Sequence, residues 1–241
     1  TSTRAFNLVS GIGFSREGYP VNSLFSYDFR GLNEDGVPTF INEAGVLTST
    51  DINFQETERF DNLVYSGPSE PTDVGSFGNI FQYKGLRLNV FITYSFGNVV
   101  RLDPVFSSIY NDLDAMPREF RNRWMTPGDE RYTDVPAIVS SRQVRNDSKL
   151  SYAYNAYNYS TARIAKGDFI RMKEISLTYD FPKRWIKKLR MSNLALKIQA
   201  TNLFLIYADK KLNGQDPEFF NSGGVATPVP KQFTLTLKIG L

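Results

Sequence analysis

The carboxylates are the residues of this chain best placed to do chemistry, because histidine and cysteine are absent from all 241 positions. Zinc sites of the usual Cys/His kinds lose their ligands, and Ser-His-Asp and Cys-His catalysis lose their base. Two carboxylate pairs stand close in sequence, Asp129-Glu130 and Asp216-Pro217-Glu218. Glycoside hydrolysis needs a pair flanking the scissile bond, ~5–9.5 Å apart. Each pair here is local, on a Pro- and Gly-rich stretch, which points to turn chemistry and loop bracing. Asn111-Asp112-Leu113-Asp114 resembles part of a calcium loop but lacks its glycine and its distal Glu. No catalytic residue, metal ligand or cofactor is expected, and the chain is not expected to be an enzyme.

Binding is the remaining chemistry. Tyr152, Tyr154, Tyr157 and Tyr159, with Asn155 and Asn158 between them, offer aromatic platforms beside amide donors. That combination suits sugar rings or peptide backbones, and it equally suits packing within a loop or against a lid protein. Lys183, Arg184, Lys187 and Lys188 surround Trp185 on one short connection. Four cations on a single hairpin are too few for a nucleic-acid surface, whereas a Trp-bearing turn at a membrane interface fits. Arg171 and Lys173 are expected above a hydrocarbon band, since a cation on the midplane lipid face costs ~2–4 kcal/mol.

The elements that position these residues show a period of two. Leu86, Leu88, Val90, Ile92, Tyr94 and Phe96 alternate with mostly polar residues, and Phe77, Phe81 and Tyr83 precede them across a Lys84-Gly85 turn. Three further runs follow: Ile175 to Phe181, Leu194 to Ala200, and Phe233, Leu235, Leu237, Ile239 and Leu241. Each has one apolar and one polar face, as antiparallel strands do, so the fold class is all-β. Apolar residues are 41%, charged residues 22% and the net charge is +3, with no apolar run approaching a membrane-spanning helix.

Strand alternation alone fits a soluble sandwich as well as a membrane barrel. The connections separate them. Lys84-Gly85 is short, 98–167 is long, the Pro182 connection is short, and 207–230 is long again. Short turns on one side and large loops on the other are the rhythm of an outer-membrane barrel. Connections beyond ~12–15 residues without structure of their own are uncommon in compact soluble domains. Five clear strands are too few, because bacterial barrels need at least ~8 to close. The expectation is a partial antiparallel transmembrane β-barrel. Thr1 is not an initiator Met, and the chain is expected to be a piece of something longer.

Arg123-Trp124 with Pro127-Gly128-Asp129-Glu130 and Val135-Pro136 resembles an external-loop stretch of the SusC/RagA family, TonB-dependent outer-membrane importers of Bacteroidetes. Gly167-Asp168-Phe169-Ile170-Arg171-Met172-Lys173, running into Ile175-Ser176-Leu177-Thr178-Tyr179-Asp180-Phe181-Pro182, is similar to that family's most recognisable strand. Asn202-Leu203-Phe204, Asp216-Pro217-Glu218, Pro228 and Pro230 follow in the family's order, and Glu17-Gly18-Tyr19-Pro20 and Tyr27 to Leu32 fit upstream. The resemblance implies the C-terminal strands of a plugged barrel of about 22 strands. Residues 1–76 would hold the end of a preceding strand and a long extracellular loop. Residues 77–241 would be the C-terminal strands with external loops 98–167 and 207–230, the plug domain and TonB box lying outside this chain. Implied partners are the remainder of the barrel, a SusD-like surface lipoprotein, TonB and outer-membrane lipid, in the outer membrane of a Gram-negative bacterium, with oligosaccharides or peptides as cargo. Phe233, Leu235, Leu237, Ile239 and Leu241 would face lipid, and Leu241 stands where the family usually ends in an aromatic. A structural subunit of a larger envelope assembly and a soluble carbohydrate-binding β-domain are the other readings.

Overall fold

The computed structural model describes Val9 and residues 16–52, 63–105, 118–220 and 230–240. In chain order the strands are β1 Ser23–Tyr27, β2 Phe29–Leu32, β3 Pro38–Ile41, β4 Leu47–Thr48, β5 Leu63–Pro68, β6 Asp73–Tyr83, β7 Leu86–Phe96, β8 Val99–Arg101, β9 Ile164–Lys166, β10 Phe169–Asp180, β11 Asn193–Ala208 and β12 Gln232–Gly240. Helices α1 Ser141–Asn146 and α2 Lys149–Asn158 precede β9, and α3 Lys183–Ile186 follows β10. These elements form two compact units. One comprises residues 1–70 and 98–166, the other residues 71–97 and 167–241.

The second unit is a five-stranded antiparallel sheet in the order β12-β11-β10-β7-β6. Lys84 and Gly85 both have positive φ, 45° and 85°, as a two-residue hairpin turn between twisted strands requires. Directly opposed residues share a face. The register therefore runs one apolar row through Phe81, Leu88, Leu177, Ile198 and Leu235, and the next through Val90, Ile175, Ala200 and Phe233. The opposite face carries Gln82, Arg87, Thr178, Lys197 and Thr236 in one row, and Asn89, Ser176, Gln199 and Thr234 in another. All five strands expected from alternation are present. Two of them are longer than the alternation shows. β10 starts at Phe169 because Lys173 is an extra residue between Met172 and Glu174, which resets the period. β11 continues to Ala208 through irregular register around Asn202, whose φ is 53°, and past Ile206.

The first unit has a different construction. β1 pairs with β5, β2-β3-β4 form a small meander, and β8 pairs with β9. Its core joins Phe25, Tyr27, Phe40, Leu63 and Phe120 to Ala153, Ala156 and Tyr157 of α2. The stretch 98–167 thus carries elements of its own rather than running as an unstructured connection. α1 begins with a capping box, in which Gln143 N–H donates to Ser140 Oγ and Ser140 N–H to Gln143 Oε1. Asp147 Oδ1 accepts the N–H of Lys149, the first residue of α2.

Candidate functional site

The tyrosines and asparagines singled out in sequence lie on α2 and just beyond it, and helical geometry divides them. Tyr154, Tyr157 and Asn158 turn inward, while Tyr152, Asn155 and Tyr159 are half-buried. The inward groups are satisfied internally: Tyr154 OH donates to Ala137 O at 2.8 Å, and Asn158 Oδ1 accepts from Val105 N at 3.0 Å. Tyr157 packs edge-on against Phe29 and beneath the Arg163 guanidinium. Burial pushes the Tyr157 and Tyr27 hydroxyls well above the ordinary phenol value. In this chain Tyr154, Tyr157 and Asn158 build the unit's core, and the accessible part of the cluster is Tyr152, Asn155 and Tyr159.

Two arginines brace the same unit. Arg163 Nη1 lies 2.6 Å from Glu119 Oε1, and its Nη2 donates to Asp103 O. Arg101 Nη2 donates to Phe25 O at 2.7 Å, and its guanidinium stands over the Tyr159 ring. Burial lowers the Arg101 pKa to about 10, against the opposing pull of Tyr159 and with a small push from Arg163. The Asp129-Glu130 pair is a turn brace. Asp129 Oδ2 accepts from Met125 N and Thr126 N, and Glu130 Oε2 accepts from Trp124 Nε1 and Gly128 N. Backbone N–H donors hold the Asp129 carboxyl below its usual range; Glu130 is lowered by its backbone hydrogen bonds and by the Trp124 indole. Asn111-Asp112-Leu113-Asp114 lies outside the described residues.

In the sheet unit the apolar face is bare. Phe233, Leu235, Leu237 and Ile239 of β12 are 48–75% exposed, as are Phe77, Phe81 and Phe204 within the same span. Leu241 lies outside the described residues. Aromatics collect at both ends of this face. Tyr83, Tyr179 and Phe181 lie by the short turns with Trp185, and Phe77, Tyr94, Phe96, Phe204 and Tyr207 lie toward the other end. The polar face holds an open depression of about 390 Å³ lined by Arg87, Asn89, Thr178, Asp180, Lys197 and Lys238 among others. Farther along the same face, Arg171 is held against Asp216 and Glu218, a pairing that sequence reasoning did not find. The partners are 45 residues apart, and only the sheet register shows that Arg171 faces the polar side, opposite Thr93 and Leu205.

No protein-family model matches the chain. Over 167 residues it is 28% identical to TonB-dependent receptor P39 of Formosa agariphila, covering 64% of the chain and 14% of that protein. TonB-dependent receptor P3 of the same organism is 24% identical over 211 residues, 84% of the chain and 19% of the relative. A solved structure of the RagAB peptide transporter superposes on 93% of the chain with a TM-score of 0.65 at 22% identity, over 23% of its own length. The RagAB peptide importer in its closed-closed state gives 0.65 at 21% identity over the same shares. The chain is SusC/RagA-like. It spans less than a fifth of the curated relatives it matches. The two-faced sheet of this SusC/RagA-like segment corresponds in fold to part of a barrel wall, and its curated relatives are named as TonB-dependent receptors.

Proposed function

We propose that this segment is wall and external loop of a SusC-like, TonB-dependent importer in the outer membrane of a Gram-negative bacterium of the Bacteroidetes. The observation that carries the reading is the predominantly apolar face of β6, β7, β10, β11 and β12, exposed and bordered by aromatics at both ends. An apolar band of that kind between aromatic girdles matches a lipid-facing barrel surface. The polar face then lines the interior, and Lys84-Gly85 and the 181–192 connection are the periplasmic turns. The 98–167 and 207–230 stretches are external.

The mechanism belongs to the whole machine. An oligosaccharide or peptide is captured beneath a SusD-like surface lipoprotein, TonB acts on a plug contributed by the rest of the protein, and a path opens along the polar face. This segment contributes a rigid wall and the loop structure that meets lid or cargo, with Tyr152, Asn155 and Tyr159 as its accessible aromatic and amide groups. Fractionation tests the reading: the gene product containing this segment should partition with the outer membrane and require detergent for extraction. A monodisperse, detergent-free 27.4 kDa species of this chain alone would refute it.

A further inference from the structure

The polar face of the sheet is open at one end and covered at the other. At the open end lies the depression lined by Arg87 and Lys197. At the covered end the Arg171 and Asp216 side chains are each only 5% exposed, although Arg171 projects from a strand whose neighbours on that face include Thr93. The segment 209–220 reaches Arg171 there through Asp216 and Glu218. Its two 3-10 turns, Lys210–Leu212 and Pro217–Phe219, bury Leu212 and Pro217. Asp216 does two things at once: its Oδ1 accepts the Glu218 N–H that starts the second turn, and it accepts Nη2 of Arg171. Glu218 Oε2 lies 3.1 Å from Arg171 Nε, and Phe169 lies against the same guanidinium. The guanidinium hydrogen-bonds Asp216 through Nη2 and stands at ion-pair distance from Glu218, so one side chain faces both carboxylates of Asp216-Pro217-Glu218.

We infer that Arg171 is a positioning residue that fixes segment 209–220 across the outer part of the polar face, so that this segment restricts the size of solute reaching the interior wall. The inference rests on the barrel reading for the meaning of "interior". The tether itself stands on geometry alone. A buried ion pair suits this role because it adds little net stability but tolerates few alternative arrangements of the loop.

The test uses the full-length transporter. Spin labels at Gln215→Cys, on the segment, and Arg184→Cys, on the opposite turn, should give one narrow distance distribution. Neutralising the tether with Arg171→Met, Asp216→Asn and Glu218→Gln together should broaden it, without leaving an unpaired buried charge. Arg171→Lys should broaden it partially, and Glu218→Gln alone, at the more exposed arm, should leave it nearly narrow. In whole cells, Thr93→Cys, opposite Arg171 on the same face, should react with a polymer-linked maleimide at least tenfold faster once the tether is removed, while its reaction with a small maleimide changes little. A distribution that stays narrow without the charges overturns the positioning role. A broadened distribution with unchanged polymer reactivity overturns the restriction. The distance measurement needs no functional pore, so failure of the tether and failure of the outer-membrane reading appear in different experiments.

Discussion

A single strand can test the lipid-facing assignment at every depth. On β7 the apolar face presents Leu86, Leu88, Val90, Ile92 and Tyr94, and Val90 sits midway. Leu86 to Tyr94 spans about 27 Å along the strand at ~3.4 Å per residue, or about 20 Å along the membrane normal at a tilt of ~40–45°. That height fits an apolar band of ~25 Å and places Val90 near its middle. Val90→Arg in the full-length transporter is expected to cost ~2–4 kcal/mol, falling to ~0–1 kcal/mol for Leu86→Arg at the rim. Asn89→Arg, on the opposite face beside Glu174, should stay within about 0.5 kcal/mol. In a reversible denaturant titration in lipid, the midplane variant should lose ~30- to 700-fold in its folding equilibrium. A soluble sandwich would also resent a buried arginine, but its cost would follow packing rather than distance from the strand ends. Equal losses at Leu86 and Val90, or a loss at Asn89 matching that at Val90, would refute the assignment.

Three further outcomes follow from the loop unit. Tyr157→Ala should destabilise it by ~3–5 kcal/mol, as aromatic truncations in cores do, and Tyr157→Phe by under ~1.5 kcal/mol, read as protease resistance of residues 118–166. The Asp129 and Glu130 carboxyls are lowered in the folded turn, so their contribution is full above the ordinary carboxylate range near pH ~4 and disappears as pH falls through the lowered values. Protection of the Met125 and Thr126 amides, taken relative to their intrinsic exchange at each pH, should fall in that acid window, and in Asp129→Asn it should already be low at neutral pH with a flatter acid response. Gly36 has φ 72°, and a Cβ there would meet the Trp124 ring at 2.5 Å. Gly36→Ala should displace the indole and shift its fluorescence, and an unchanged spectrum would contradict the stacking.

The sheet was legible because one face of each strand is mostly apolar, leaving period two readable in the residues themselves despite Asn79 on that face and Ile80 and Phe91 on the other. Legibility failed where the strand was irregular. Lys173 and the Asn202 region each shift the register, so the alternation that begins at Ile175 hides a strand starting at Phe169. The loop unit was opaque for a different reason. Its core is built from tyrosines, alanines and an asparagine whose polar atoms find partners far away in sequence, such as Tyr154 with Ala137 and Asn158 with Val105. Such residues look like a binding surface in sequence, because polarity without its partner reads as exposure. Arg171 was opaque twice over: its face depends on the Lys173 irregularity, and its partners lie on a loop that only the fold returns to the sheet.

The edges of the sheet carry the last step. Among the described residues, β6, with 11 residues, and β12, with 9, have a hydrogen-bonded neighbour on one side only. Roughly half of the backbone groups on each edge strand point away from that neighbour. In hydrocarbon each unsatisfied group costs several kcal/mol, which sums to tens of kcal/mol for the two edges. On the proposed reading the apolar face meets lipid, and lipid forbids open edges. Both conditions hold together only if further strands pair with β6 and β12 and close the wall. On the proposed reading, a chain spanning 14–23% of the proteins it resembles would therefore be a sector whose apolar face meets lipid only when further strands cover its two edges.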